Sequence, residues 1–191
     1  MALTGTNRGA NATNTGGQST LVVTPASNLT AFALAVLCVA YDNSGTVSPG
    51  EDPYVSITDS KGNTWTPRFN VLNDPGNANA GHCLRIFTSA QDVGALTTSD
   101  TITVTYGFTT VARSWTLMEF TGSVGTPVFK SAVIGEISTS ASPTITTAST
   151  GTLTQANELV IGFGSVNGVY TGTPTHTDSI ITPTNYGNDT T

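Results

Sequence analysis

Residues able to carry chemistry are few and scattered in this sequence. It holds two histidines, His82 and His176, and two cysteines, Cys38 and Cys83. Nucleophilic hydrolysis needs a serine or cysteine against a histidine that an acid orients, and a GxSxG turn is one sequence sign of it. The nearest string, Gly162-Phe163-Gly164-Ser165-Val166, places the serine wrongly. His82 opens a strand and His176 sits among threonine and proline, so both read as loop-end histidines. Glycoside hydrolysis needs two carboxyl groups about 5 to 9.5 Å apart. The acids Asp42, Glu51, Asp52, Asp59, Asp74, Asp92 and Asp100 fall mostly in turns, and only Glu119 lies within an apolar strand. Trp115, Leu117 and Glu119 share one strand face, so Glu119 can point inward. It is read as a structural charge near a strand end, reaching water or pairing with an arginine such as Arg113 or Arg85.

Other chemistries are no better supplied. Asp42-Asn43-Ser44-Gly45 and Glu51-Asp52 offer oxygen ligands of the kind that suit Ca²⁺, without EF-hand spacing, and are read as a solvated loop. No GxGxxG follows a strand and opens a helix. Cys38 and Cys83 lie in apolar runs and read as buried free thiols, a cross-strand disulfide being the alternative. Trp65 and Tyr54 offer faces for sugar stacking, but their expected role is to pack a hairpin onto the core. The residues therefore predict no catalytic site, no metal and no cofactor.

Composition bounds the partners. Of 191 residues only 9% are charged, and the net charge is −6. Phosphate neutralisation requires clustered Lys and Arg. The six here, Arg8, Lys61, Arg68, Arg85, Arg113 and Lys130, are dispersed, so nucleic acid and anionic membrane are excluded as partners. Thr, Ser, Asn and Gly take the place of charges, and β-branched threonine fits the half-exposed face of a sheet. The opening Met1-Ala2-Leu3-Thr4-Gly5 has neither the basic nor the apolar region of a signal peptide. The longest apolar run, Ala31 to Tyr41, is well short of the roughly 20 residues of a membrane helix.

These residues must be positioned by strands. Gln18 to Thr24 reads as a first clear strand. Ala31 to Asp42 is apolar on both alternating faces, which predicts a central strand covered on both sides. Tyr54 to Thr58, the turn Asp59-Ser60-Lys61-Gly62-Asn63 and Thr64 to Leu72 read as a hairpin, with Asp59 accepting backbone N–H bonds and Gly62 at positive φ. Further strands are His82 to Ala90, Asp100 to Tyr106 with period-2 alternation, Val111 to Phe120 and Glu158 to Val166, with short irregular strands around Val128 and Ile145. Gly162 and Gly164 share a face on which Trp115 is expected to lie. Many short strands with turn chemistry between them, and no helical pattern, predict an all-β fold. It is a single antiparallel β-sandwich, jelly-roll or Ig-like. Residues 1–17 form a polar arm or edge strand, 18–170 the sandwich, and 171–191 an extension that completes or bridges an edge.

Three strings resemble a known kind of domain: "SITDSKGNTWT" at Ser56 to Thr66, "SWTLMEFTG" at Ser114 to Gly122, and "ANELVIGFGSVNG" at Ala156 to Gly168. They are similar to a β-sandwich found in bacteriophage virion proteins and in some bacterial surface proteins. It shares a D-x-x-G-N-x-W hairpin, an E-F/Y-x-G strand end and an E-L-V strand. The resemblance spans roughly residues 18 to 168, and its motifs are structural. It implies a non-enzymatic protein of a virus particle, a capsid decoration or accessory protein assembled into the virion in the host cytoplasm. Its partners would be the major capsid protein or another virion protein, with self-association. The other reading is a carbohydrate-binding or adhesive module of a fibre or cell surface. The polar terminal segments carry small apolar anchors, Leu3, Ile180 and Ile181, which are the expected partner contacts.

Overall fold

The structure, a computed structural model, describes residues 4–13, 16–42, 52–73, 82–122 and 161–163. Leu3, His176, Ile180 and Ile181, the expected strands near Val128 and Ile145, and segment 171–191 lie outside them. Eight strands follow in order: β1 (Thr4–Thr13), β2 (Gln18–Val23), β3 (Leu34–Asp42), β4 (Tyr54–Asp59), β5 (Thr66–Asn73), β6 (His82–Ser89), β7 (Ile102–Thr110) and β8 (Arg113–Thr121). One sheet has the order β1-β8-β3-β6-β5 and the other β2-β7-β4. Every pairing is antiparallel. The chain is all-β, and the described residues contain no helix. Strand order 1-8-3-6 facing 2-7-4 is the wind of a jelly roll, with β5 moved to the larger sheet.

Alternation builds the core. Ala35, Leu37, Val39 and Tyr41 of β3, Phe87 of β6 and Trp115 and Leu117 of β8 meet Leu21, Val23, Ile102, Val104 and Tyr106 of the smaller sheet in one buried cluster. The alternate residues of β3, Val36 and Cys38, join Met118 and Phe120 in a second cluster on the far face of the larger sheet. Ile161 and Phe163 pack on that cluster. β3 is therefore covered on both sides, as its unbroken apolar run predicts. The two cysteines occupy opposite faces of the sheet, so no disulfide can join them, and both are free. Burial pushes each thiol up to about 12, which keeps both as unreactive thiols.

Two expectations are corrected here. Asp59 to Asn63 does not close a hairpin: β4 pairs with β7 and β5 with β6, so the turn carries the chain from one sheet to the other. The local chemistry is as expected, with Gly62 at φ 82. A turn of this kind looks alike in sequence whether the returning strand pairs or crosses over. Secondly, residues 161–163 form no strand, the rest of the expected strand Glu158 to Val166 lies outside the described residues, and no described residue comes within 4 Å of where a Cβ on Gly162 would be. The Trp115 ring lies instead against Gly9, where an added Cβ would come within 3.0 Å of it.

The edges are irregular where the centre is not. The β3–β6 and β3–β8 ladders run without a break. β1, β4 and β5 each carry one extra residue, Arg8, Val55 and Arg68, and the β2 pairing shifts between Gln18 and Thr20. Bulges at sheet edges discourage indiscriminate edge-to-edge pairing.

Gly9 and Gly62 both have positive φ, 141 and 82, but only Gly9 is crowded. Gly62→Ala should cost about 1 kcal/mol, for backbone conformation alone. Gly9→Ala should cost clearly more, because the tryptophan ring and the Ala26 amide must also yield. Urea unfolding of the two variants checks the order; equal losses would contradict the packing of Trp115 on Gly9.

Candidate functional site

Two polar networks sit at opposite ends of the sandwich. At the end where β3 begins, Glu119 is buried to 1% of its surface. A carboxylate so placed must be matched by donors. Arg8 grips it with Nε to Oε2 at 3.1 Å and Nη2 to Oε1 at 2.9 Å. The Thr30 amide donates to Oε2 at 2.7 Å and the Thr30 hydroxyl to Oε1 at 2.8 Å. Burial alone would raise its pKa; the bonds from Arg8 and Thr30 outweigh that and hold it below the ordinary value. Arg8 reaches inward because it is the extra residue of the β1 bulge. The Asn7 side-chain oxygen accepts the Gly9 amide at 2.8 Å and shapes that bulge. Glu119 thus pairs with an arginine, as expected, but with Arg8 rather than Arg113 or Arg85. Arg113 donates to the carbonyls of Gly16 and Thr20, and Arg85 bonds Asp52. Arg8 lies 111 positions from Glu119, beyond any local pattern.

The crossing turn lies at the same end. Asp59 Oδ1 accepts the amides of Lys61, Gly62 and Asn63 at 2.8, 2.8 and 3.1 Å. Asp59 Oδ2 accepts Asn63 Nδ2 at 3.0 Å and the Trp65 indole N–H at 2.7 Å. Trp65 is therefore buried in the core and bonded, with no face for a sugar, and Tyr54 packs half-buried against the same cluster. Asn63 passes the order onward: its Oδ1 accepts the amides of Val93 and Gly94, and its Nδ2 donates to the Gly94 carbonyl. Asp100 accepts from Thr97 and Ser60, and these bonds, the Thr97 hydroxyl's first, hold its carboxyl well below the usual range.

Loop 91–96 in turn meets loop 28–33. The Leu29 amide donates to the Leu96 carbonyl at 2.8 Å, and the Phe32 amide to the Gln91 carbonyl at 3.3 Å. Phe32 and Gln91 are the non-glycine residues with positive φ, 60 and 50, among those described. For a bulky side chain this backbone is a true outlier. Gln91 is buried, bonding Ser89 and the Leu96 amide, whereas Phe32 is 77% exposed. Val93 nearby on this loop is 65% exposed. Sequence reading missed Phe32, since nothing in "TAFAL" marks an aromatic turned outward.

At the other end Asp52 accepts the Tyr41 hydroxyl at 2.9 Å, the Tyr54 amide at 3.0 Å and the Arg85 guanidinium. Exposed Asn70 reaches it at 3.3 Å. Burial would raise the pKa of Asp52, and the bonds from Arg85, Tyr54 and Tyr41 bring it below its ordinary value. The Arg85 guanidinium lies 4.3 Å from the Tyr54 ring centre. The Tyr106 hydroxyl and the Nε atoms of Arg85 and Arg113 are buried without a hydrogen-bond partner. Asp42 accepts the amides of Val111 and Ala112 and closes the β7–β8 turn. Residues 43–51, the rest of the loop weighed for Ca²⁺, lie outside the description, and no group of three His, Cys, Asp or Glu is placed to hold a metal among the described residues. His82 starts β6 at the outer face, with burial lowering its pKa. No helix of the described residues is long and apolar enough to cross a membrane.

Comparison of the chain with protein-family models, with curated proteins and with solved structures finds no match in any of the three.

Glu119→Gln should destabilise the fold by about 2 to 4 kcal/mol, because Arg8 is left beside a neutral amide. The pH dependence has a definite sign. Glu119, Asp52 and Asp100 all have depressed carboxyl pKa values. Their stabilisation is therefore complete above the unfolded carboxylate range and is lost as pH falls through the folded values. Melting temperature against pH should drop at the acid end, and less steeply for Glu119→Gln. Parallel curves would contradict the role given to Glu119.

Proposed function

We infer that this chain is a non-enzymatic structural protein of a virus particle, a bacteriophage capsid decoration or accessory protein that binds the shell. The residues that carry the sequence resemblance are architectural: Asp59, Asn63 and Trp65 build the crossing turn, and Glu119 anchors β1 and loop 28–33. That supports a scaffold whose value lies in its surface. The observation that carries the reading furthest is Phe32, a strained backbone holding an aromatic ring in water. Strain of this kind persists where the surroundings over-determine it, and exposed aromatics are the usual anchors of protein contacts. A uniformly low charge also suits dense packing into a lattice.

A second reading, a glycan-binding or adhesive module, draws on the other end. There exposed Asn70 and the half-buried Tyr54 ring offer a polar and an aromatic contact close to Asp52. Asp52, the natural acceptor for sugar hydroxyls, already serves Tyr41, Tyr54 and Arg85, which ranks this reading second. Binding on a glycan array that Asn70→Ala abolishes would put it first.

Mass spectrometry and electron microscopy of purified virions test the first reading, which fails if the chain is absent from them. Phe32→Asn separates contact from folding, because asparagine tolerates the left-handed backbone. The free variant should melt no lower than the native protein, while its affinity for the particle falls roughly 30-fold, as for a hot-spot aromatic. Undiminished loading would remove Phe32 from the contact.

A further inference from the structure

β1 is held unlike the other strands. Its sequence, TGTNRGANAT, contains no apolar side chain larger than alanine. None of Thr4 to Asn11 is fully buried. The hydrophobic effect that fixes β3 or β8 is nearly absent from it. It is held by the ladder to β8, the Ala26 amide on the Arg8 carbonyl at 2.7 Å, the Arg8 bonds to Glu119 and to the Ser27 hydroxyl at 3.1 Å, and the Trp115 ring against Gly9.

The groove that receives it is specific. Without β1, β8 becomes the edge of its sheet, and Glu119 keeps, among the described residues, the two bonds from Thr30. The site demands a cation at one register position. The Trp115 ring then leaves no room for a Cβ at the next. The match is an arginine at a bulge followed by glycine, and Arg-Gly occurs once in the chain, at Arg8-Gly9. In this sequence, then, only β1 fits the groove, whether from the same copy or another.

We propose that β1 is an exchangeable arm, and that in assemblies β1 of one copy adds to β8 of a second, setting its Arg8 on that copy's Glu119. The hinge is suited to it. β1 ends at Thr13 in the larger sheet and β2 begins at Gln18 in the smaller, with Gly16 at φ 65 between them. Closed and exchanged forms make the same strand contacts, so they differ in hinge conformation and in concentration, and a dense array favours exchange. The bulges on the edge strands deter other pairings, while the Glu119 socket selects this one. The proposal does not rest on the virion reading, since its test uses purified protein alone.

Ala10 faces Thr116 across the β1–β8 ladder. Ala10→Cys and Thr116→Cys, made in separate, differently tagged full-length chains, should form a mixed disulfide when concentrated together and oxidised. Adding Arg8→Ala to the first chain should lower the yield about tenfold. A second measurement needs no substitution in the chain that is probed. A fluorescent peptide of residues 1–13 should bind the native protein, with the Arg8→Ala peptide about tenfold weaker. The proposal is overturned if the disulfide forms only within a chain bearing both cysteines, or if the native peptide fails to bind or binds no better than its Arg8→Ala form.

Discussion

A carboxylate taken out of water must find its donors inside the protein, and Glu119 finds them in two segments distant from it in sequence, β1 and loop 28–33. Arg8 comes from a strand with almost nothing apolar to bury, and Thr30 from the loop between the two sheets. Removing the acid leaves a buried or half-buried guanidinium and an orphaned backbone amide, each costly where solvent is excluded. The charge therefore decides where β1 lies and how loop 28–33 is drawn over the end of the sandwich. A neutral core residue at this position would let β1 go and would slacken loop 28–33, which Leu29 and its bonds to loop 91–96 still hold.

From this node the order spreads by contact. Loop 28–33 is bonded to loop 91–96, that loop to Asn63, and Asn63 to Asp59 and hence to Trp65. Polar groups on the two sheets are thus joined in a continuous network at one end, and Phe32 is held outward by its two flanks. The other end is organised by Asp52 and Asp42 in the same manner, each acid closing a segment onto the core. Scarce charges in this chain are spent on architecture. On the smaller sheet, the outward face of β7 is left to threonine, at Thr103 and Thr105.

Strands are the part of this structure most legible in the sequence, because alternation and apolar runs report burial directly. The alternation of Ile102, Val104 and Tyr106 and the two-faced run of β3 each translate into their observed packing. Asp59 and Gly62 were legible for the same reason, since their bonds lie within four residues. What sequence could not convey was long-range pairing. The crossing of the Asp59 turn between sheets depends on which partners β4 and β5 find. Glu119's partner depends on a bulge in a distant strand, and Trp115's glycine proved to be Gly9 rather than Gly162. Phe32 was illegible because its amide bonds the carbonyl of Gln91, far from it in sequence.

The central claim is that one buried carboxylate fixes β1 to the core and tightens loop 28–33 over it, beyond the hold that Leu29 already gives that loop. Amide hydrogen exchange on native and Glu119→Gln protein measures this residue by residue, below the melting transition of both. The account predicts that amides of β1 and of residues 26–33 lose protection in the variant, while those of β3 and β6 keep theirs. Equal protection in β1 with and without the charge, or a loss spread evenly through every strand, would contradict it.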